Sequence, residues 1–286
     1  MPEGHTLHRL ALLHQRRYVG APVRVSSPQG RFAAEARVVD GRVLQRAEAH
    51  GKHLFHVYGP DLVVHVHLGL YGTFTEHELP VTEPQGQVRM RMVGTTHWTD
   101  LRGPNTCRLL TDAEVAALRA RLGADPLRTD ADPEQPWRRI SRSRAPIAVL
   151  LLDQSVVAGV GNVYRAEVLF RHGVPPMLPG RELPRQLWDA MWADLVQLMR
   201  QGVRAGRIDT VRPEHDPAVT GRAPRRDRHG GEVYVYRRTG QPCLVCGTEV
   251  AGTELAGRKL YWCPGCQPER LGRGATEDGT APAVGS

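Results

Sequence analysis

From Glu3 to about Arg17, Leu7, Leu10, Ala11 and Leu13 recur at roughly helical spacing among polar residues, which predicts an amphipathic helix. From Val23 to about Leu110 the pattern changes. Short segments, Arg42 to Leu44, Leu54 to Val57, Val63 to His67 and Arg89 to Met92, are broken by Gly and Pro, as in an antiparallel β-sandwich or barrel. The Pro- and Asp-rich stretch Gly123 to Trp137 reads as a linker or loop. Pro146 to His172 is apolar at helical spacing again. Its interruption, Val157-Ala158-Gly159-Val160-Gly161-Asn162, predicts a tight turn between two helices. A further helix is expected over Leu183 to Gly202, ended by that glycine. Arg212 to Gly231 has no periodicity and reads as a mobile surface loop, and the tail beyond Cys266 as disordered. The class expected is α+β.

Charge changes the picture more than length does. A net charge of +8 and a pI near 9.6 point to a polyanionic partner, nucleic acid first, since phosphate neutralisation supplies most non-specific affinity. Nearly all of the 38 basic residues are arginine, which suits bidentate phosphate contacts. Hydrophobic residues make up 41%, with no apolar run of ~18 residues and no secretory signal pattern, so a cytoplasmic protein without a membrane partner is expected.

Cys243-x2-Cys246 and Cys263-x2-Cys266 have the spacing of a ribbon that offers four thiolates to one structural Zn2+ ion. Two disulfides are the alternative, which a reducing cytosol disfavours. Cys107 stands alone and reads as a small buried apolar residue. His65 and His67 alternate on a strand and share a face; without a third ligand nearby they read as structural or phosphate-contacting. Gly159-x-Gly161 is a poor dinucleotide fingerprint, because Tyr164 stands where a third Gly is needed. A turn offering backbone N–H groups and Asn162 to a phosphate fits better.

Four motifs in one order carry a more specific signal. Pro2-Glu3-Gly4, Gly51-Lys52 before an apolar strand, Leu150-Leu151-Leu152-Asp153-Gln154 running into Ala158-Gly159-Val160-Gly161-Asn162, and Tyr261-Trp262-Cys263-Pro264-Gly265-Cys266-Gln267 together resemble the formamidopyrimidine-DNA glycosylase and endonuclease VIII family. The resemblance runs from residue 2 to about 267. It implies an N-terminal helix plus antiparallel β-sandwich over 1–122, a helix-two-turns-helix domain over 132–230, a zinc ribbon over 231–267 and a disordered tail over 268–286. Pro2, exposed once Met1 is removed, resembles the nucleophile, Glu3 the acid/base and Lys52 a catalytic and phosphate-binding cation. Asn162 resembles the phosphate clamp and Arg258 the ribbon finger, with His67, Leu70, Tyr71 and Tyr236 as further DNA contacts. The implied activity is a bifunctional glycosylase and abasic-site lyase acting as a monomer on damaged DNA, duplex and also single-stranded or bubble.

The chemistry gives independent reasons for these residue types. An N-terminal proline is a secondary amine, so its adduct with the sugar C1′ is a cationic iminium and an electron sink. An α-amino group has an ordinary pKa of ~7.7 to 8.0, which leaves a neutral fraction at pH 7. Within the family, Leu70-Tyr71 after His67-Leu68-Gly69 resembles the apolar wedge of the endonuclease VIII branch. The opening Pro-Glu-Gly-His-Thr resembles an actinobacterial-like subfamily of it. The purine-repairing branch has an Arg-Arg-Phe finger where this chain reads Asp100-Leu101-Arg102-Gly103-Pro104-Asn105. Oxidised pyrimidines are therefore the expected substrates. A purine-preferring enzyme and a non-catalytic damaged-DNA-binding zinc protein are the alternatives. Two departures stand out: Gly69 replaces a Gln, and Thr6 falls where a second Glu is usual.

Overall fold

A computed structural model describes residues 2–226, 231–269 and 271. The chain forms two compact units that divide between Arg121 and Leu122.

The first unit opens with helix α1 (Gly4–Tyr18), whose buried stripe includes Leu7, Ala11, His14 and Tyr18. Strand β1 (Pro22–Ser26) and helix α2 (Ala33–Val39) follow, then β2 (Arg42–Val43), β3 (Arg46–His50), β4 (His53–Gly59), β5 (Leu62–His67), β6 (Thr73–Glu78), β7 (Val88–Val93), β8 (His97–Arg102) and β9 (Thr106–Leu110). These strands form two antiparallel sheets, ordered β2-β1-β7-β8-β6 and β3-β4-β5-β9. Both sheets feed one core: Val23, Val25, Met90, Met92 and Leu101 from the first meet Leu54, Val64 and Val66 from the second, with Leu7 and Ala11 of α1. The sandwich expected from the sequence is therefore present. Helix α3 (Asp112–Arg119) closes the unit, started by a Thr111–Glu114 capping box.

Strands β4 and β5 depart from simple alternation, because almost every residue in them is buried. Register explains it. Leu54 pairs with Val66 and His56 with Val64 on the face toward the core, whereas Phe55 pairs with His65 and His53 with His67 on the other. That second face is covered as well, with the Arg119 guanidinium 4.9 Å from the Phe55 ring. His65 and His67 do share a face.

The second unit contains α4 (Glu134–Ile140), α5 (Ile147–Leu150), α6 (Asn162–Arg171), α7 (Arg185–Ala205), α8 (Pro217–Thr220) and the hairpin β10 (Ala251–Leu255) and β11 (Arg258–Trp262). Its core joins α6 and α7 to Val233, Tyr234, Val235, Tyr236 and the buried cysteines. Two expectations need correction. Helix α7 runs through Gly202, which is buried, and ends at Gly206, whose φ of 73° supplies the left-handed cap. The stretch from Gly123 is a loop as expected, up to α4 at Glu134, and a fixed one: Gly123 N–H donates to the Gln154 carbonyl at 2.9 Å, Ala124 bridges Val157 and Asp125 is buried. The stretch after Arg212 is also structured as far as Arg226. Asp216 caps α8, Pro217 starts it and Gly221 ends it, while the Tyr234 hydroxyl accepts the Arg212 N–H at 2.9 Å. The end of that stretch and the tail lie largely outside the described residues. Among the described residues no helix is long and apolar enough to cross a membrane.

Candidate active site and zinc centre

Glu3 is the N-cap of α1, with extended backbone, and its carbonyl accepts the Thr6 N–H at 2.9 Å. Its side chain is 0% exposed, while Pro2 before it is half-buried. A carboxylate at the positive end of a helix is stabilised there by the dipole. Lys52 sits in the two-residue connection of the β3–β4 hairpin, between the paired His50 and His53. Gly51 supplies a φ of 57° at the first turn position, which fits the tight hairpin geometry that calls for glycine there.

Register then brings Lys52 into a group the sequence did not assemble. His53 lies opposite His67, their rings 5.0 Å apart, and His53 Nδ1 is 2.8 Å from His65 Nε2. Burial, followed by the Lys52 ammonium, lowers the His67 pKa, so its ring is neutral at pH 7. A cavity of about 360 Å³ opens here, lined by His53, His65, His67, Asn105, Thr106 and Arg108. The buried Nδ1 atoms of His65 and His67 have no hydrogen-bond partner among the described residues. Imidazole, amide, hydroxyl and guanidinium groups together form a lining suited to a phosphate oxygen.

The β5–β6 loop presents Leu70 at 47% and Tyr71 at 86% exposure. The loop closes on itself through the Gly72 N–H to Leu68 carbonyl bond at 3.0 Å. A Cβ on Gly72 would lie 2.3 Å from that carbonyl oxygen, and one on Gly69, where φ is 67°, 2.9 Å from Asn105 Cβ. Glycine at 69 is thus a requirement of this turn. Opposite it, Gly103-Pro104-Asn105 is a three-residue connection from β8 to β9, and Asp100 is held in β8 by Arg91 at 2.7 Å and Arg102 at 2.8 Å. This segment is strand and short turn, with no projecting finger.

In the second unit Asn162, 7% exposed, is the first residue of α6. Its amide donates to the Lys259 carbonyl at 2.9 Å, and its Oδ1 accepts from Arg165, which reaches the same carbonyl at 2.8 Å. Asn162 therefore fixes the hairpin that carries Arg258. Arg258 itself is exposed, just after the turn residues Ala256 and Gly257, whose φ values of 51° and 69° are those of a primed hairpin turn. Tyr236 is 2% exposed, edge-on to Tyr261 at 5.3 Å between ring centres, so its ring belongs to the core. Sequence reading missed Glu167, a wholly buried carboxylate that accepts the N–H groups of Tyr234, Val235 and Tyr236 at 2.7 to 2.9 Å and the Thr210 hydroxyl at 2.5 Å. Its only prior signal is a single acidic residue on a helix that otherwise carries mostly apolar and basic side chains.

Cys243, Cys246, Cys263 and Cys266 converge, with all Sγ atoms within 4.8 Å of one another and pairs at 3.8 and 3.4 Å. A tetrahedral zinc at ~2.3 Å from each sulfur separates the sulfurs by about 3.8 Å, so the donor set fits. A Cβ on Gly265 would lie 3.0 Å from Cys246 Sγ, which explains glycine between the second pair of cysteines. These four cysteines are the ligands of one structural zinc ion. With four sulfurs the sphere is closed, leaving no position for chemistry.

Comparison with known proteins agrees with this anatomy. The formamidopyrimidine-DNA glycosylase N-terminal domain matches residues 1–107, its H2TH domain residues 122–212, and the zinc finger found in FPG and IleRS residues 240–268. Endonuclease 8 1 of Mycobacterium tuberculosis is 59% identical over 271 residues, covering 93% of this chain and 100% of that protein. Formamidopyrimidine-DNA glycosylase of Parasynechococcus marenigrum is 30% identical over 93% of this chain and 99% of its own. Among solved structures, MutM in complex with carbocyclic 8-oxo-G containing DNA aligns with a TM-score of 0.75 at 21% identity, over 94% of this chain and 100% of that one, a likeness of fold. With three domain matches in order and a relative at 59% identity, the chain belongs to the formamidopyrimidine-DNA glycosylase and endonuclease VIII family.

Proposed function

We propose that this protein is a base-excision-repair DNA glycosylase and abasic-site lyase with Pro2 as nucleophile and oxidised pyrimidines as preferred lesions. The observation that carries the reading is the start of the chain: a fully buried Glu3 at the N-terminus of α1, directly after Pro2. A chain start without a task leaves a carboxylate in water, because burying one is costly.

With Met1 removed, the Pro2 nitrogen attacks C1′ of the damaged nucleotide, and the C1′–base bond breaks with a proton delivered to the departing base and ring. The adduct is an iminium with no N–H to lose. It acidifies the C2′ proton, whose loss expels the 3′ phosphate by β-elimination, and loss of the C4′ proton then expels the 5′ phosphate by δ-elimination. Water then hydrolyses the adduct and frees the amine. The positive end of α1 repels a protonated amine, which favours the neutral nucleophile. Glu3, one peptide bond away, moves the protons.

Lys52 and His67 hold phosphate oxygens beside the flipped nucleotide, and Arg258 does so in the second unit, on the hairpin that Asn162 fixes. Leu70 and Tyr71 fill the stack that the flipped base vacates, offsetting a few kcal/mol of unpairing. The short β8–β9 turn supports the pyrimidine-repairing branch. The substrate is chromosomal DNA, which places the working protein at the nucleoid.

The test is borohydride trapping on an oligonucleotide panel, followed by peptide mapping. The adduct is expected on the N-terminal peptide, with thymine glycol excised faster than 8-oxoguanine paired with cytosine. An adduct on Lys52, or full trapping behind an uncleaved N-terminal tag, removes Pro2 from its role. Faster removal of the purine lesion overturns the branch and leaves the family.

A further inference from the structure

A cavity of about 570 Å³ in the second unit is lined by Arg222, Arg225, Arg226, Arg237 and Arg238, with Glu232 as the single carboxylate in its described lining. Neither Asn162 nor Arg258 nor any zinc ligand lines it. The proposed excision chemistry makes no use of it.

Among the described lining residues, five guanidinium groups meet one carboxylate. Glu232 pairs with Arg222 at 2.6 Å and also accepts the Arg225 backbone N–H at 2.6 Å. The Arg225 guanidinium reaches the Gly231 and Tyr236 carbonyls at 3.4 and 3.2 Å. Arg238 is only 8% exposed, yet its guanidinium donates to neutral oxygens: Tyr234 carbonyl at 2.6 Å, Pro242 carbonyl at 2.7 Å and Gln241 Oε1 at 3.1 Å. No carboxylate pairs with it among the described residues. Burial lowers its pKa against the attraction of the nearby Glu167 carboxylate, and repulsion from Arg222 and Arg225 adds to the lowering. Arg237 is exposed and stands in the left-handed region, at φ 55°, which non-glycine residues rarely occupy. Arg226 is also exposed on the same wall.

Guanidinium groups gathered around one cavity repel each other, and a buried one whose hydrogen bonds all go to neutral oxygens is costly. Their planar forks match tetrahedral oxyanions, to which they donate two bonds at a time. We propose that this cavity is a binding site for multiply charged phosphate, supplied either by the backbone of a DNA strand or by a free oligophosphate.

The test uses the full-length, zinc-loaded protein and the double variant Arg226→Ala with Arg237→Ala, chosen because both side chains are exposed. Unchanged zinc content and melting temperature establish that the variant is folded. Calorimetric titration with inorganic tripolyphosphate at ~0.15 M salt, where long-range attraction is screened, is expected to show one saturable site per chain, weakened at least tenfold in the variant. In a second arm, the salt dependence of binding to undamaged duplex identifies the source. A slope reduced by about two in the variant assigns the phosphates to DNA; an unchanged slope with tripolyphosphate binding lost assigns them to a free oligophosphate. The proposal fails if both proteins show the same tripolyphosphate affinity, none included, and the same slope. Neither arm contains a lesion, so the result is independent of the proposed excision chemistry.

Discussion

Leu70 and Tyr71 are exposed large apolar residues held by a turn that admits no Cβ at Gly72 and a strained one at Gly69. Their role therefore depends on the turn as much as on the side chains. Replacing both, Leu70→Ala with Tyr71→Ala, should slow excision from duplex DNA at least tenfold and from single strands much less, because only a duplex leaves a gap to fill. Gly72→Ala should reproduce that selective loss with both side chains intact, at a cost of about 1 to 3 kcal/mol in stability. Equal slowing on duplex and single strands in single-turnover assays would show that the loop does not act as a wedge. Gly69, a departure from the family's Gln in the sequence, is explained by the turn it occupies.

Helix α6 works as a bracket. Asn162 and Arg165 at its start hold the hairpin at Lys259, and Glu167 one turn on gathers the N–H groups of residues 234–236. In Glu167→Gln an N–H₂ group faces donors that the carboxylate accepted. Charge-assisted bonds of about 1.5 to 3 kcal/mol each are weakened or lost, so at least 2 kcal/mol of destabilisation of the second unit is expected in chemical denaturation. Full stability in that variant would mean that 234–236 is held by apolar packing alone. Zinc acts on the neighbouring ribbon. Structural zinc contributes ~10 to 16 kcal/mol in small modules, so chelation or Cys263→Ser should expose the amides of 240–268 to hydrogen exchange and abolish tight DNA binding, with strands β4 and β5 still protected. Active protein with well under one zinc per chain would contradict this.

The first unit as a body is rich in neutral buried imidazoles. Burial above all lowers His5 and His65 to about 4 and His53 to about 3, and drives His56 well below its ordinary value. The unfolded chain protonates each near pH 6.5 and the folded unit does not, so stability falls as pH drops below 6.5, by roughly 1.4 kcal/mol per pH unit for each imidazole. Glu76 adds to this only at lower pH. Burial opposes its ionisation, but bonds from His14 at 3.0 Å and Arg17 at 2.8 Å win and bring it to about 2, so its contribution is present above about 4.5 and lost as pH falls from there. Denaturant midpoints followed by exchange of the β4 and β5 amides should therefore decline between pH 6.5 and 5, and a flat profile there would refute the histidine origin. The fate of particular residues shows what the chain declares by itself. The cysteine quartet, α1 and most of α7 were legible because their signals are local: ligand spacing and helical periodicity. Tertiary structure alone decided that His53 faces His67, that Asn162 holds Lys259, that Tyr236 turns into the core, and that arginines separated along the chain share one cavity. Such pairings depend on strand register and on which distant backbone carries an unmatched donor. Neither leaves a period in the sequence, whereas burial makes each of them obligatory once the chain has folded.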